Sequence, residues 1–93
     1  MKVFQTPTFQ RKYKKLNRNQ LSLVNEAIES IISEPQIGEL KHGDLGSIRV
    51  HKVRGAKVEV LVAYWNEETS IELIDFGSHE NFYRDLKRRL KED

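Results

Sequence analysis

The sequence predicts an α+β fold in the order β-α-α-β-β-β-α. Three observations carry that prediction. Two amphipathic helical patterns lie side by side between residues 7 and 33. Three strand-like runs follow between residues 47 and 76, and the middle one is almost continuously apolar. A basic helical pattern then closes the chain. The three consecutive strands should form an antiparallel meander, with the helical hairpin on one face; the pattern assigns nothing to the other face and no place to the C-terminal helix.

The elements follow in order. "MKVFQT" alternates weakly and reads as a short first strand. Thr6 can cap the next helix, and Pro7 suits its first turn. Phe9, Tyr13 and Leu16 stand at i, i+4, i+7, one apolar stripe on an otherwise basic helix. A second helix is expected from about Asn19 to Ser33, with Leu21, Val24, Ile28, Ile31 and Ile32 as its buried face. Pro35 ends it, because the residue before a proline avoids the α region. "PQIGELKHGDLG" reads as a loop with three glycines. "SIRVHKVR" alternates, placing Ile48 and Val50 on one face and Arg49 and His51 on the other. "RGAK" is a hairpin turn, "VEVLVAYW" a central strand, "NEET" a polar turn and "SIELIDF" the last strand. Ser78 is a good N-cap for the final helix, which should bury Phe82, Leu86 and Leu90.

A chain of 93 residues suggests one domain, 1–93. It has no cysteine, hence neither disulfide nor thiolate chemistry. No apolar run approaches the roughly 20 residues of a membrane span, and no signal-peptide core is evident. A cytoplasmic protein without membrane partners is expected. The net charge of +2 conceals segregation. Residues 1–20 carry Lys2, Arg11, Lys12, Lys14, Lys15 and Arg18 with no acid, and Arg49, Lys52, Arg54 and Lys57 form a second basic group. The C-terminal helix adds Arg84, Lys87, Arg88, Arg89 and Lys91. Such clusters favour a polyanionic partner, either nucleic acid or an acidic protein surface.

The element order, together with "LKHGDLGSIRVHKVRG", "VEVLVAYW" and above all "LIDFGSHENFYRDLKR", resembles the RelE/ParE superfamily, the toxin half of bacterial type II toxin–antitoxin pairs. The "GSHENFY" stretch is most similar to the YafQ-like branch. The resemblance implies a cognate antitoxin partner, an acidic segment of which should cover the basic surface and the helical hairpin. It also implies one of two activities. RelE-, YoeB- and YafQ-like members cut mRNA in the ribosomal A site without a metal or other cofactor. ParE-like members instead bind and poison DNA gyrase. Ribosome and mRNA are therefore the expected targets, with DNA gyrase as the alternative.

Metal-free RNA cleavage needs a base for the 2′-hydroxyl, an acid for the leaving 5′-oxygen, cations for the phosphorane and a surface that orients the bases. His79 would occupy the first turn of the last helix, where unpaired N–H groups attract phosphate. By resemblance it is a catalytic candidate. Tyr83, four residues on, shares its side of the helix and can orient substrate, transfer a proton or stack on a base. His51 is a candidate acid, base or phosphate ligand. Glu59 lies five residues before Tyr64, the spacing of an acidic residue in the YafQ-like branch. It either pairs with a basic neighbour such as Arg49 or Lys52, or serves as a base with a raised pKa. Arg49, Lys52, Arg54 and Lys57 are candidate phosphate ligands, and His42 is a further candidate in the loop. The RelE branch carries arginines in the third and at the end of the fourth strand. "VEVLVAYW" and "IDFG" have none, so a histidine-based site remains. His79, Tyr83, His51 and Glu59 are expected on one shallow concave surface bordered by Lys52 and Arg54.

Overall fold

A computed structural model describes residues 1–41, 48–78, 82–84 and 86–88. Strand β1 spans Lys2–Gln5, helix α1 Pro7–Lys14 and helix α2 Arg18–Ser33. Strands β2 (Glu39–Leu40), β3 (Arg49–Arg54), β4 (Glu59–Asn66) and β5 (Ser70–Gly77) follow, and residues 82–84 and 86–88 are helical. The sheet order is β1-β5-β4-β3-β2. β3, β4 and β5 form the expected antiparallel meander, and β1 closes the far edge, parallel to β5.

Local chemistry sets the helix ends. The Thr6 hydroxyl accepts from the Phe9 amide at 3.1 Å and donates to the Ile74 carbonyl at 2.6 Å. One side chain thus caps α1 and ties the β1–α1 turn to β5. Asn17 and Gln20 form a capping box at the start of α2. The Tyr13 hydroxyl donates to Asn25 Oδ1 at 2.7 Å, fastening the two helices together.

The sheet buries both faces. Val60, Val62, Tyr64, Ile71, Leu73 and Phe76 meet Phe9, Leu23, Val24, Ala27 and Ile31 under the helical hairpin. On the opposite face, Ile48, Val50, Leu61, Ala63 and Ile74 meet Phe82 and Leu86, with Trp65 and Tyr83 at the margin. Two-sided burial is why β4 reads as a continuous apolar run: its even residues serve one core and its odd residues the other. The register slips at Ala63/Tyr64, where Ala63 opposes Asp75 and Tyr64 opposes Leu73. The extra residue lets Leu73 before the slip and Phe76 after it reach the same core.

Three expectations need correction. The α2 face is centred on Leu23, Val24, Ala27 and Ile31, while Ile32 is exposed, Leu21 is half-buried, and Ile28 only borders the core. A helix lying flat on a sheet buries a stripe including small Ala27, and hydropathy alone favoured the larger side chains. Glu39–Leu40, expected as loop, pairs with Val50 and Arg49 as a two-residue edge strand, too short to leave a period-2 signal. Helix α2 begins at Arg18 because Asn17 caps it. The start of the last helix and Leu90 lie outside the described residues.

Two polar clusters fasten irregular backbone to the sheet. The fully buried Tyr64 donates its hydroxyl to the Pro35 carbonyl at 2.7 Å and accepts from the Gly38 amide at 2.9 Å. Arg49 donates to the Gly38 carbonyl at 2.8 Å. A Cβ on Gly38 would stand 2.7 Å from the Tyr64 hydroxyl oxygen, so glycine is required there. Burial pushes the Tyr64 phenol above its ordinary pKa, opposed by the Gly38 amide and by Arg49. On β5, Lys12 Nζ lies 2.8 Å from Asp75 Oδ1 and donates also to the Phe76 carbonyl. The Asp75 carboxylate accepts from the Phe76 amide as well, at 2.8 Å.

Tyr64→Phe keeps the ring and strips two buried backbone groups of their partner. The expected cost is about 1–3 kcal/mol, measured as a lowered urea midpoint at unchanged slope. A Tyr64→Phe midpoint equal to wild type would show that the α2–β2 connection is held by something other than this hydroxyl.

Candidate functional site

The β3–β4 pairing sorts the candidate residues by face. Val50 lies opposite Ala63 and Lys52 opposite Leu61, on the side of Phe82 and Leu86. Arg54 pairs with Glu59 on that same side, and Arg54 Nε donates to Glu59 Oε2 at 2.9 Å. Arg49 lies opposite Tyr64, His51 opposite Val62 and Val53 opposite Val60, on the side of the helical hairpin. The alternation that built the strand therefore separates neighbours: Lys52 and His51 point away from one another through the sheet.

Tyr83 belongs with the first group. Its ring packs at the edge of the second core and meets Phe82 edge-on at 5.4 Å between centroids. Lys41, which the sequence analysis passed over, places its Nζ 5.1 Å from the centre of the Tyr83 ring. Lys41 is also 3.2 Å from Glu39 Oε1. Burial disfavours its charge, but the hydrogen bond to Glu39 and the attraction of Tyr83 outweigh that, so its pKa lies above the ordinary value. The sequence signal for Lys41 was slight, a lysine just beyond a two-residue strand. One face thus assembles Lys41, Lys52, Arg54, Glu59 and Tyr83.

The remaining candidates fall elsewhere. The expected common surface does not include His51, which is half-buried on the α2 side of the sheet. Arg49 holds the backbone around Gly38 from that side. Lys57 stands in the β3–β4 turn beside a hollow lined by Leu23, Glu26 and Val58, also towards α2. Glu59 is paired with Arg54 rather than with Arg49 or Lys52. The Arg54 side chain is 73% exposed, so the pair adds at most about 1 kcal/mol to stability. His79 and His42 lie outside the described residues. No group of His, Cys, Asp or Glu among the described residues could hold a metal ion, and no described helix is long and apolar enough to cross a membrane.

The fold is a meander sheet with a helical hairpin on one face, and a helical segment beside a cationic surface on the other. Residues 3–87 match the family described as ParE-like toxin of type II bacterial toxin–antitoxin system, and the chain belongs to that family. Solved structures agree. The chain is similar to one in the intact E. coli RelBE toxin–antitoxin complex, at 15% identity and a TM-score of 0.66, covering 85% of this chain and 96% of that one. The YoeB/ParE toxin from Agrobacterium tumefaciens aligns at 18% identity and a TM-score of 0.62, covering 85% and 99%. The isolated E. coli RelE toxin aligns at 13% identity and a TM-score of 0.63, covering 96% and 97%. At these identities the likeness is one of fold. No curated protein sequence matches the chain. The protein is a toxin of the RelE/ParE superfamily, and its family supports a cognate antitoxin as partner.

His51 carries a pH dependence. Burial beneath α2 lowers its pKa from 6.5, partly offset by Glu26 on that helix. Because the folded-state value is the lower one, the unfolded chain takes up this proton first as pH falls. His51 therefore favours folding fully above about pH 6.5, and that contribution is lost as pH falls towards its folded pKa. In urea unfolding, wild type should lose more stability between about pH 7 and pH 5 than His51→Gln does. Parallel pH profiles for the two proteins would contradict this placement.

Proposed function

We propose that this toxin is a ribosome-dependent endoribonuclease that cleaves mRNA by metal-independent acid–base chemistry. The observation that carries the reading is the placement of Tyr83 beside Lys41, on the same face as Lys52 and Arg54. A phenol among cations suits RNA, because its ring can stack on a base and its hydroxyl can hold or move a proton while ammonium and guanidinium groups meet the phosphate. Lys41 and Lys52 supply charge to the developing phosphorane. Glu59, neutralised by Arg54, orients that guanidinium. His79, by its position in the sequence before Tyr83, supplies the second acid–base group, which is also the basis for the YafQ-like affinity. His51 and Arg49, on the far side of the sheet, serve the fold.

A second reading has its own support. The family match is to ParE-like toxins, and the departure of His51 and the pairing of Glu59 thin the acid–base set. A gyrase-poisoning binder needs the cationic face without proton transfer.

One experiment separates the two. The toxin is induced in cells, and mRNA 5′ ends and plasmid supercoiling are followed together for wild type, Tyr83→Phe and His79→Ala. Tyr83→Phe keeps the packing on Phe82 and removes only the hydroxyl. A general acid–base group contributes roughly 10² to 10⁴ in rate, so both variants should lose ribosome-dependent cleavage by about that factor. Changed supercoiling, intact mRNA and undiminished growth arrest in the two variants would instead establish the gyrase reading.

A further inference from the structure

Glu39 stands where the proposed chemistry has no use for an acid. Its carboxylate lies among cations that are there to meet phosphate, and its side chain is 76% exposed. It repels the anion that Lys41 and Lys52 attract. With one partner this exposed, its ion pair to Lys41 adds little to stability. A charge on an edge strand discourages unwanted pairing, but a charge of either sign serves for that.

The backbone around Glu39 is held on every side. Before it, the Gly38 amide donates to the Tyr64 hydroxyl at 2.9 Å, and the Gly38 carbonyl accepts from Arg49 at 2.8 Å. Glu39 itself pairs with Val50, and Leu40 with Arg49. After them, the Lys41 amide donates to the Ile48 carbonyl at 2.9 Å. Glu39 and Lys41, two apart along the strand, point to the same face. Val50 opposite Glu39 makes that the face of the second core and of Tyr83.

With its backbone fixed, Lys41 has only its side chain left to place. A lysine stem is long and flexible, and its head is strongly hydrated. The contact of Lys41 Nζ with the Tyr83 ring, at 5.1 Å, is weak by itself at a partly exposed site. Glu39 Oε1, 3.2 Å from the same nitrogen, is the second restraint. Burial disfavours the Lys41 charge, and the bond to Glu39 does most to offset it. Two weak contacts converging on one ammonium select a rotamer that neither selects alone.

We propose that Glu39 is a positioning residue, which holds the Lys41 ammonium over the Tyr83 ring so that cation and phenol meet the mRNA as one unit. The proposal rests on the reading that Tyr83 and Lys41 act on RNA. Glu39 touches no substrate and works through Lys41 alone.

The test measures ribosome-dependent mRNA cleavage by purified wild type, Glu39→Ala, Glu39→Lys, Lys41→Ala and the double variant Glu39→Ala with Lys41→Ala. Misplacing one group at a site costs up to about 10²-fold in rate. Glu39→Ala should therefore lose roughly tenfold in kcat, and Glu39→Lys, which repels Lys41, roughly 10²-fold. KM should stay level or fall in both, because an acid has left a phosphate-binding face. A fall in KM with kcat unchanged would make Glu39 a simple field effect and overturn the inference. So would a Glu39→Lys protein with the wild-type kcat, which would leave only the edge-blocking role. In the Lys41→Ala background Glu39→Ala should cost no further kcat, as expected of two residues acting together, and a full additional loss would also contradict the proposal. A second readout is independent of catalysis. An aromatic ring shifts the NMR signals of protons above its face, so the Lys41 ε-methylene should resonate upfield in wild type and return towards the ordinary lysine position in Glu39→Ala. An unmoved signal overturns the inference. Loss of the shift in a toxin that cuts no mRNA would leave the placement of Lys41 by Glu39 standing and remove the ribonuclease reading instead.

Discussion

The pairing of Val50 with Ala63 governs what this molecule can do. Those two small apolar residues lie on the second core, and the period of two along β3 follows from them. Lys52 and Arg54 then share a face with Tyr83, and Arg49 and His51 share the other with α2. A slip of one residue would turn Lys52 towards the helical hairpin and take Val50 out of the second core, away from Ile48 and Leu61. Burying one aliphatic side chain is worth about 1.5–3 kcal/mol, and burying an unpaired ammonium costs more than that. The register is therefore fixed by the cores, and the placement of the cations follows from it.

Polar clusters anchored on the paired strands hold the neighbouring segments to the sheet. Tyr64 and Arg49 hold the Pro35–Gly38 backbone. On β5, Asp75 gathers Lys12 and the Phe76 amide. Losing Lys12 would strand a carboxylate whose side chain is 3% exposed. For a fully buried pair that costs about 3–5 kcal/mol, and less here because the lysine side chain is 41% exposed.

Much of this was legible in the sequence. The helical hairpin, the meander and the two-sided burial of "VEVLVAYW" follow from periodicity, and Phe82 and Leu86 from their spacing. The opposition of His51 to Val50 was legible too. What could not be read was which face the last helical segment would cover, because that depends on tertiary packing through Ile48, Leu61 and Ile74. His51 was therefore grouped with Tyr83 on chemical type, although the sheet stands between them. The bulge at Ala63/Tyr64, the two-residue strand at Glu39 and the partnership of Lys41 with Tyr83 depend on single contacts that leave no periodic trace. The α2 face was misjudged for a related reason: Ala27 is buried because it is small enough to lie close to the sheet, which hydropathy does not record.

The central claim is that the working surface lies on the face of Lys52 and not on the face of His51. These are adjacent residues, so the comparison of His51→Gln with Lys52→Ser is direct. Each is induced in cells at matched protein level, and growth arrest and mRNA cleavage are scored. His51→Gln should remain toxic and cut mRNA at close to the wild-type rate, and Lys52→Ser should lose both. A harmless, folded His51→Gln beside a fully toxic Lys52→Ser would contradict the account and place the active surface under α2.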